Sequence, residues 1–279
     1  MKKILSCLLC VLLMSTLFTA HAENMPASGF DFSENDNAPF VPYVYAARTS
    51  GAAKQAPGPA PTPMPSPIPP PVQSGETDPS RPMIALTFDD GPSRHTPRIL
   101  DILERHGGRA TFFTVGYLLS SNKETVLRAS KMGCEIIGHT WDHKDLTKLS
   151  DAEIRNQLLT TNNTIEAITG TAKPMFRPPY GAVDARIQRI SRELGFSIIT
   201  WSLDTLDWQS RNADAVHSAV MHGVKDRDII LTHDMHGTTA DSMEIVIPDL
   251  ISRGYQLVTV SELLAYKYGS IEAGRIYTN

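Results

Sequence analysis

From residue 81 onward the chain alternates short apolar runs with amphipathic stretches, and no other feature restricts its fold as strongly. Apolar runs at 83–88, 110–115, 135–139, 174–177, 197–202, 228–233 and 256–260 read as strands. Helical spacing occupies 96–105, 123–131, 151–169, 182–194, 213–222, 241–252 and 262–268. Strands separated each time by a helix pair in parallel, and the helices then cover the sheet, so the class is α/β. About 190 residues with seven units is short for a full eight-unit barrel, which points to a distorted (β/α) barrel of about seven units, with an open doubly wound sheet as the alternative. No G-x-G-x-x-G or P-loop string follows any strand, which weighs against a nucleotide site. In either architecture chemistry gathers at the C-terminal ends of the strands.

The first 80 residues have another character. Lys2 and Lys3 precede an apolar run from Ile4 to Phe18, and Ala20-His21-Ala22 offers an A-x-A cleavage site, so residues 1–22 read as a secretory signal, with an uncleaved anchor as the alternative. Residues 23–80 read as a disordered Pro-rich linker: nine of the fifteen residues from 57 to 71 are proline, which removes backbone donors and favours a semi-rigid polyproline II spacer. Residues 81–279 are left as the folded domain. Cys134 is the one cysteine beyond the signal, so no disulfide framework holds the fold, and its apolar surroundings mark it as a small buried hydrophobe. Loss of Lys2 and Lys3 takes the formal charge from -4 to -6, and no basic stretch interleaved with aromatics exists, which argues against a nucleic-acid partner. No later stretch is apolar enough to span a membrane.

Polar residues collect where the strands end. TFDDGP places Asp89 and Asp90 together after the first apolar run. Adjacent buried carboxylates repel one another and need a cation or donors; one acid as metal ligand and the other as base suits hydrolysis, whereas a cap on the helix near Thr96 is the plain structural reading. HTWDH carries His139 and His143 four residues apart, and with Asp90 they make a two-His-one-carboxylate set with open positions, as a catalytic metal requires. In RPPYG the prolines stiffen the chain around Arg177, a partner for Asp89, and Tyr180, whose backbone N–H suits half an oxyanion hole. Past the fifth strand stand Asp204, Asp207 and Trp208, the indole being either a wall for a sugar or a core plug. The sixth strand ends in Thr232, His233 and Asp234; His233 is the candidate general acid and Asp207 the carboxylate that orients it, whereas no spacing calls for Asp234 or His236. His95, His106, His217 and His222 read as solvated.

Taken in order, TFDDGP, HTWDH, RPPYG, DTLDW and LTH resemble the five motifs of the polysaccharide deacetylase family, carbohydrate esterases with the NodB homology domain, over residues 82–233. The resemblance implies a distorted (β/α) barrel and metal-dependent removal of acetyl groups from carbohydrates. It implies Asp89 as base, Asp90, His139 and His143 as ligands of a divalent metal, zinc first with cobalt, manganese or nickel as alternatives, and Arg177 as the group orienting the base. It further implies the Tyr180 amide as oxyanion donor, Asp207 as support for the acid His233, Trp208 as groove wall and Leu231 as contact for the acetyl methyl. The expected partner is an acetylated cell-wall polysaccharide, with peptidoglycan N-acetylglucosamine first, chitin oligosaccharides or another N-acetylglucosamine polymer next and acetylxylan after them. A noncatalytic carbohydrate-binding module is the alternative of another class. Secretion or cell-envelope residence and a monomeric state complete the expectation.

Overall fold

A computed structural model describes residues 77–279; the signal and most of the linker expected from the sequence lie outside the described residues. In chain order the elements are β1 (Met83–Asp89), α1 (Thr96–His106), β2 (Thr111–Thr114), α2 (Lys123–Lys131), β3 (Glu135–Gly138), α3 (Asp151–Thr169), β4 (Met175–Phe176), α4 (Ala185–Leu194), β5 (Ser197–Ile199), β6 (Leu203–Asp204), α5 (Asp207–Ser210), α6 (Ala213–Gly223), β7 (Ile229–His233), α7 (Gly237–Ser252), β8 (Gln256–Leu257), α8 (Val260–Tyr268) and β9 (Ile276–Tyr277). The strands form one sheet in the order β6-β7-β1-β2-β3-β4-β5-β9, with β8 also paired to β1, and every pairing is parallel. Among the described residues nothing pairs β6 with β9, so the sheet is a curled half-barrel, the distorted barrel expected from the alternation.

Side-chain alternation along the strands sorts the core into two faces. Ile84, Leu86 and Phe88 of β1 pack outward with Ile99 and Leu103 of α1 and Val246 and Leu250 of α7. Met83 and Ala85 face inward with Phe113, Ile137, Met175, Ile199, Ile229 and the α8 residues Leu263 and Leu264. The inward parity of β1 continues through Thr87 to Asp89, that of β3 to His139, of β4 to Arg177 and of β7 through Leu231 to His233. Period-2 backbone geometry therefore carries these side chains to one end of the half-barrel, over an apolar core.

Several boundaries differ from the sequence expectation. The fifth strand stops at Ile199, and the helix expected from residue 182 begins at Ala185, because the Asp184 side chain caps it by accepting from Ile187 N at 2.8 Å. The last barrel strand ends at Leu257 because Thr259 and Glu262 form a capping box that starts α8 at Val260. The elements β6, α5 and β9 are too short to produce a periodic signal.

Candidate active site

Asp89 and Arg177 form a buried ion pair, with Arg177 Nη1 2.5 Å from Asp89 Oδ1. Arg177 is held at both terminal nitrogens: Nη1 donates to Thr87 Oγ1 at 2.8 Å, Nη2 to the Thr200 carbonyl at 2.9 Å, and the guanidinium lies 3.8 Å from the centre of the Phe113 ring. Burial lowers the Arg177 pKa and the Asp89 charge and hydrogen bond counter it, so the guanidinium keeps its charge beside Asp89.

Asp90, His139 and His143 converge, with one potential ligand atom from each lying within 4.8 Å of the others. The His139 Nδ1 lies 2.7 Å from the Arg177 carbonyl oxygen, which can only accept, so the proton sits on Nδ1 and the Nε2 lone pair faces the acids. That Nε2 is 3.5 Å from Asp90 Oδ1 and 3.7 Å from Asp89 Oδ2. Burial keeps His139 neutral against the pull of Asp89 and Asp90. Burial also opposes ionisation of Asp90, yet the facing His143 and the positive charge of His233 hold it well below the usual carboxylate range. Asp90 Oδ1 is buried and has no partner of full hydrogen-bond geometry, although His143 Nε2 stands 3.1 Å away. A lone pair and an orphaned carboxylate oxygen aimed at one point fit a divalent cation, and two imidazoles with one carboxylate are a borderline-hard donor set suited to zinc or its first-row neighbours.

The loops that carry these ligands are conformationally demanding. Asp90, Thr140, His143 and Tyr180 have φ of 71°, 66°, 59° and 62°, a region costly to non-glycine residues that persists only where surrounding bonds enforce it. For the HTWDH loop the enforcement comes from α3: Gln157 Oε1 accepts from Trp141 N at 2.7 Å, while Gln157 Nε2 donates to Asp142 Oδ1 at 2.6 Å.

On the other side of the mouth His233 is gripped by Asp207. Its Nδ1 is 2.8 Å from Asp207 Oδ1 and its backbone N–H donates to Asp207 Oδ2 at 2.7 Å, an oxygen that also accepts from Thr239 Oγ1 at 2.7 Å. Burial disfavours the imidazolium, but the hydrogen bond and charge of Asp207, with Asp89 and Asp90 beyond, raise the His233 pKa to about 9. Asp207 is itself opposed by burial and lowered by His233. Nε2 is thereby left as the proton-bearing end of the ring. Tyr180, 72% exposed, sets its ring edge-on to His143 at 5.0 Å between centroids. Trp208, 48% exposed, is no core plug, and Leu231 is buried on the inward face of β7.

The sequence profile of polysaccharide deacetylases matches residues 76–199. The peptidoglycan-N-acetylglucosamine deacetylase of Listeria monocytogenes is 44% identical over 70% of this chain and 41% of its own length. The peptidoglycan-N-acetylmuramic acid deacetylase of Bacillus subtilis is 40% identical over 67% of this chain and 39% of its own. The solved structure of a family 4 acetyl xylan esterase from Clostridium thermocellum with a cobalt ion is 34% identical, covers 71% of this chain and 98% of that one, and superposes with a TM-score of 0.66. This chain belongs to the polysaccharide deacetylase family. It spans about two fifths of the length of the two curated relatives named here.

In this member of the family the structure also brings in residues that sequence reasoning passed over. Thr87 and Thr200 seat Arg177, Gln157 ties down the HTWDH loop, and Thr239, on the first turn of α7, supports Asp207. His236 lies with its ring centre 6.2 Å from that of His233, and its Nδ1 accepts from Arg211 Nη1 at 2.9 Å. Burial and Arg211 lower its pKa to about 4, so it stays neutral beside His233. Asp234 is wholly buried; burial, opposed by the Thr96 hydrogen bond and reinforced by Asp90 and Asp89, pushes its pKa up to about 7. Threonines and a glutamine carry no signal of their own, and only the contacts across elements reveal them.

Of the other side chains weighed on sequence, Cys134 is buried with its thiol pushed up to about 11 by burial. His222 is exposed, whereas His95, His106 and His217 are half-buried and His217 meets Asp249 at 2.7 Å, so the expectation of four solvated histidines holds in full for His222 alone.

Proposed function

We propose that this chain hydrolyses N-acetyl groups of polymers containing N-acetylglucosamine, with peptidoglycan as the leading substrate, exported by residues 1–22, spaced by 23–80, and acting in the cell envelope as a monomer through the domain that begins at residue 81. One observation carries the reading: a buried acid–arginine pair, Asp89–Arg177, and a half-buried histidine on a buried acid, His233–Asp207, flank the Asp90–His139–His143 set. A histidine held protonated across from a carboxylate paired with arginine is the arrangement an acid–base pair requires.

In the mechanism Asp90, His139 and His143 hold the cation, with zinc as first choice. When bound, it supplies Lewis acidity to the attacking water and the acyl oxygen. Asp89, ion-paired with Arg177, takes a proton from the attacking water as its oxygen bonds to the acetyl carbon. The Tyr180 N–H and Leu231 serve the oxyanion and the acetyl methyl, and Trp208 offers a face to a neighbouring sugar. His233, protonated up to about pH 9, gives its proton to the nitrogen as the C–N bond breaks, leaving acetate and a free amine. An amine leaves poorly without that proton, which favours amide substrates for an acid of this strength. The two curated relatives named above are peptidoglycan deacetylases, which puts peptidoglycan ahead of chitin oligosaccharides and acetylxylan.

The test is acetate release by the full chain, chelated and then supplied with Zn²⁺, on peptidoglycan, N-acetylglucosamine oligomers and acetylxylan in parallel. Zinc-dependent release chiefly from peptidoglycan is expected. Release chiefly from acetylxylan would transfer the substrate assignment to esters, and no release from any of the three would defeat the reading.

A further inference from the structure

Behind the pair Asp89–Asp90 sits a third acid that the reaction does not use. Asp234 is fully buried, and its Oδ1 has no hydrogen-bond partner. A buried carboxyl with one oxygen unmatched is costly, so its retention calls for a specific reason.

Its contacts run to the loop 89–93 and to Thr96, the first residue of the helix that follows it. The Asp234 N–H donates to the Asp89 carbonyl at 3.3 Å, and the Asp234 carbonyl accepts from Ser93 Oγ at 2.5 Å. The carboxyl accepts from Thr96 Oγ1, and that same hydroxyl accepts from Ser93 N at 2.7 Å, so Thr96 joins the carboxyl to the loop's far end. Between these ties the carboxyl presses against Gly91, where any Cβ would overlap both of its oxygens. Gly91 does not have a positive φ, so the glycine is required by this close approach and not by backbone freedom. Its carbonyl accepts from Val115 N at 2.8 Å, which fixes the loop from β2 as well.

We propose that Asp234 is a positioning residue, a wedge between the end of β7 and the Asp89–Ser93 loop that sets where Asp89 and Asp90 stand relative to His233. The next residue along from His233 thereby meets the loop that bears both acids. One side chain registers the acid arm against the base arm, and a displacement of about 1 Å in such a site costs on the order of 10²-fold in rate. Asp90 sits in a positive-φ conformation that relaxes once the wedge is gone, so loss of cation affinity accompanies loss of rate. The inference rests on the hydrolase reading for its kinetic arm, but cation affinity tests it independently.

The experiment compares the full chain with Asp234→Ala and Asp234→Asn, measuring Zn²⁺ affinity by competition with a chelator, kcat and KM separately, and folding by circular dichroism. Asp234→Ala removes the wedge, and folded protein with Zn²⁺ affinity and kcat each reduced about 10-fold or more and KM little changed is expected. Asp234→Asn keeps the shape and the acceptor for Thr96, and values within about 3-fold of the parent are expected. Parent-like affinity and kcat in folded Asp234→Ala overturn the proposal. A folded Asp234→Asn as impaired as the alanine variant also overturns it, since charge and not shape would then be what matters. Should Asp234→Ala not fold, Thr96→Val severs the tie while sparing the carboxyl; a 3- to 10-fold drop in Zn²⁺ affinity supports the wedge and parent-like affinity refutes it. If the parent releases no acetate from any polymer, the hydrolase reading fails, while the three affinities still decide the role of Asp234.

Discussion

Asp207 grips His233 at two points, the ring Nδ1 at 2.8 Å and the backbone N–H at 2.7 Å, so a single carboxylate sets both the orientation of the imidazole and its charge. The imidazolium is favoured to about pH 9 against a pKa near 6.5 in the unfolded chain. A raised folded-state pKa contributes stability that is fully present below about pH 6.5 and is lost as pH climbs through about 9. The activity of the parent should hold across neutral pH and fall on an alkaline limb near pH 9. In Asp207→Asn that limb should move down by at least about one pH unit, with kcat/KM lower by roughly 10²-fold, as expected when a general acid loses its charge partner. A pH–rate profile of the two proteins decides it; an unmoved limb removes His233 from the role of acid.

The Asp89–Arg177 pair lies wholly inside, so removing one partner strands the other charge. Arg177→Met should lower unfolding free energy by about 3–5 kcal/mol, read from urea denaturation at neutral pH. Arg177→Lys keeps the charge but lacks the fork that serves Asp89, Thr87 and Thr200 together, and should fall between parent and methionine variant in both stability and rate. Equal stability of all three proteins would show that the pair is not what orders this end of the half-barrel.

The two neighbouring aspartates should fail differently. Asp89→Asn is expected to lose about 10²-fold or more in kcat as a missing general base while binding Zn²⁺ like the parent. Asp90→Asn is expected to bind Zn²⁺ at least about 10-fold more weakly, with partial recovery of rate in excess metal. Chelator competition alongside acetate release separates them, and loss of Zn²⁺ from Asp89→Asn would reverse the division of labour.

The chain's local pattern announced a good deal of this. Alternation of strands and helices led to the half-barrel, and the inward parity that begins at Met83 and Ala85 already contains Asp89, just as Ile229 and Leu231 lead to His233. Period 2 is a backbone property, so the face of each strand-borne site residue is legible without contacts. The motif strings likewise marked Asp90, His143, Tyr180 and Trp208, because acids, histidines and stiff Pro-Pro turns stand out against an apolar sheet.

Other features became visible only when distant segments met. His139 and Arg177 are 38 residues apart, yet the Arg177 carbonyl selects the His139 tautomer that leaves Nε2 free. Gln157 reaches back 16 residues from α3 to Trp141, and Asp234 reaches Thr96 across 138, neither with any local signature. The two-residue strand β9 exists only because β5 offers it an edge, and it carries Tyr277 into the inner core. Short elements and neutral polar side chains have no periodicity to betray them; their conformations are stabilised by partners remote in the chain. By itself the sequence determined the class of fold, the face of each strand residue and the chemical types gathered at the strand ends. Tertiary structure decided which charge meets which, because burial and pairing, and not residue identity, set where each proton resides.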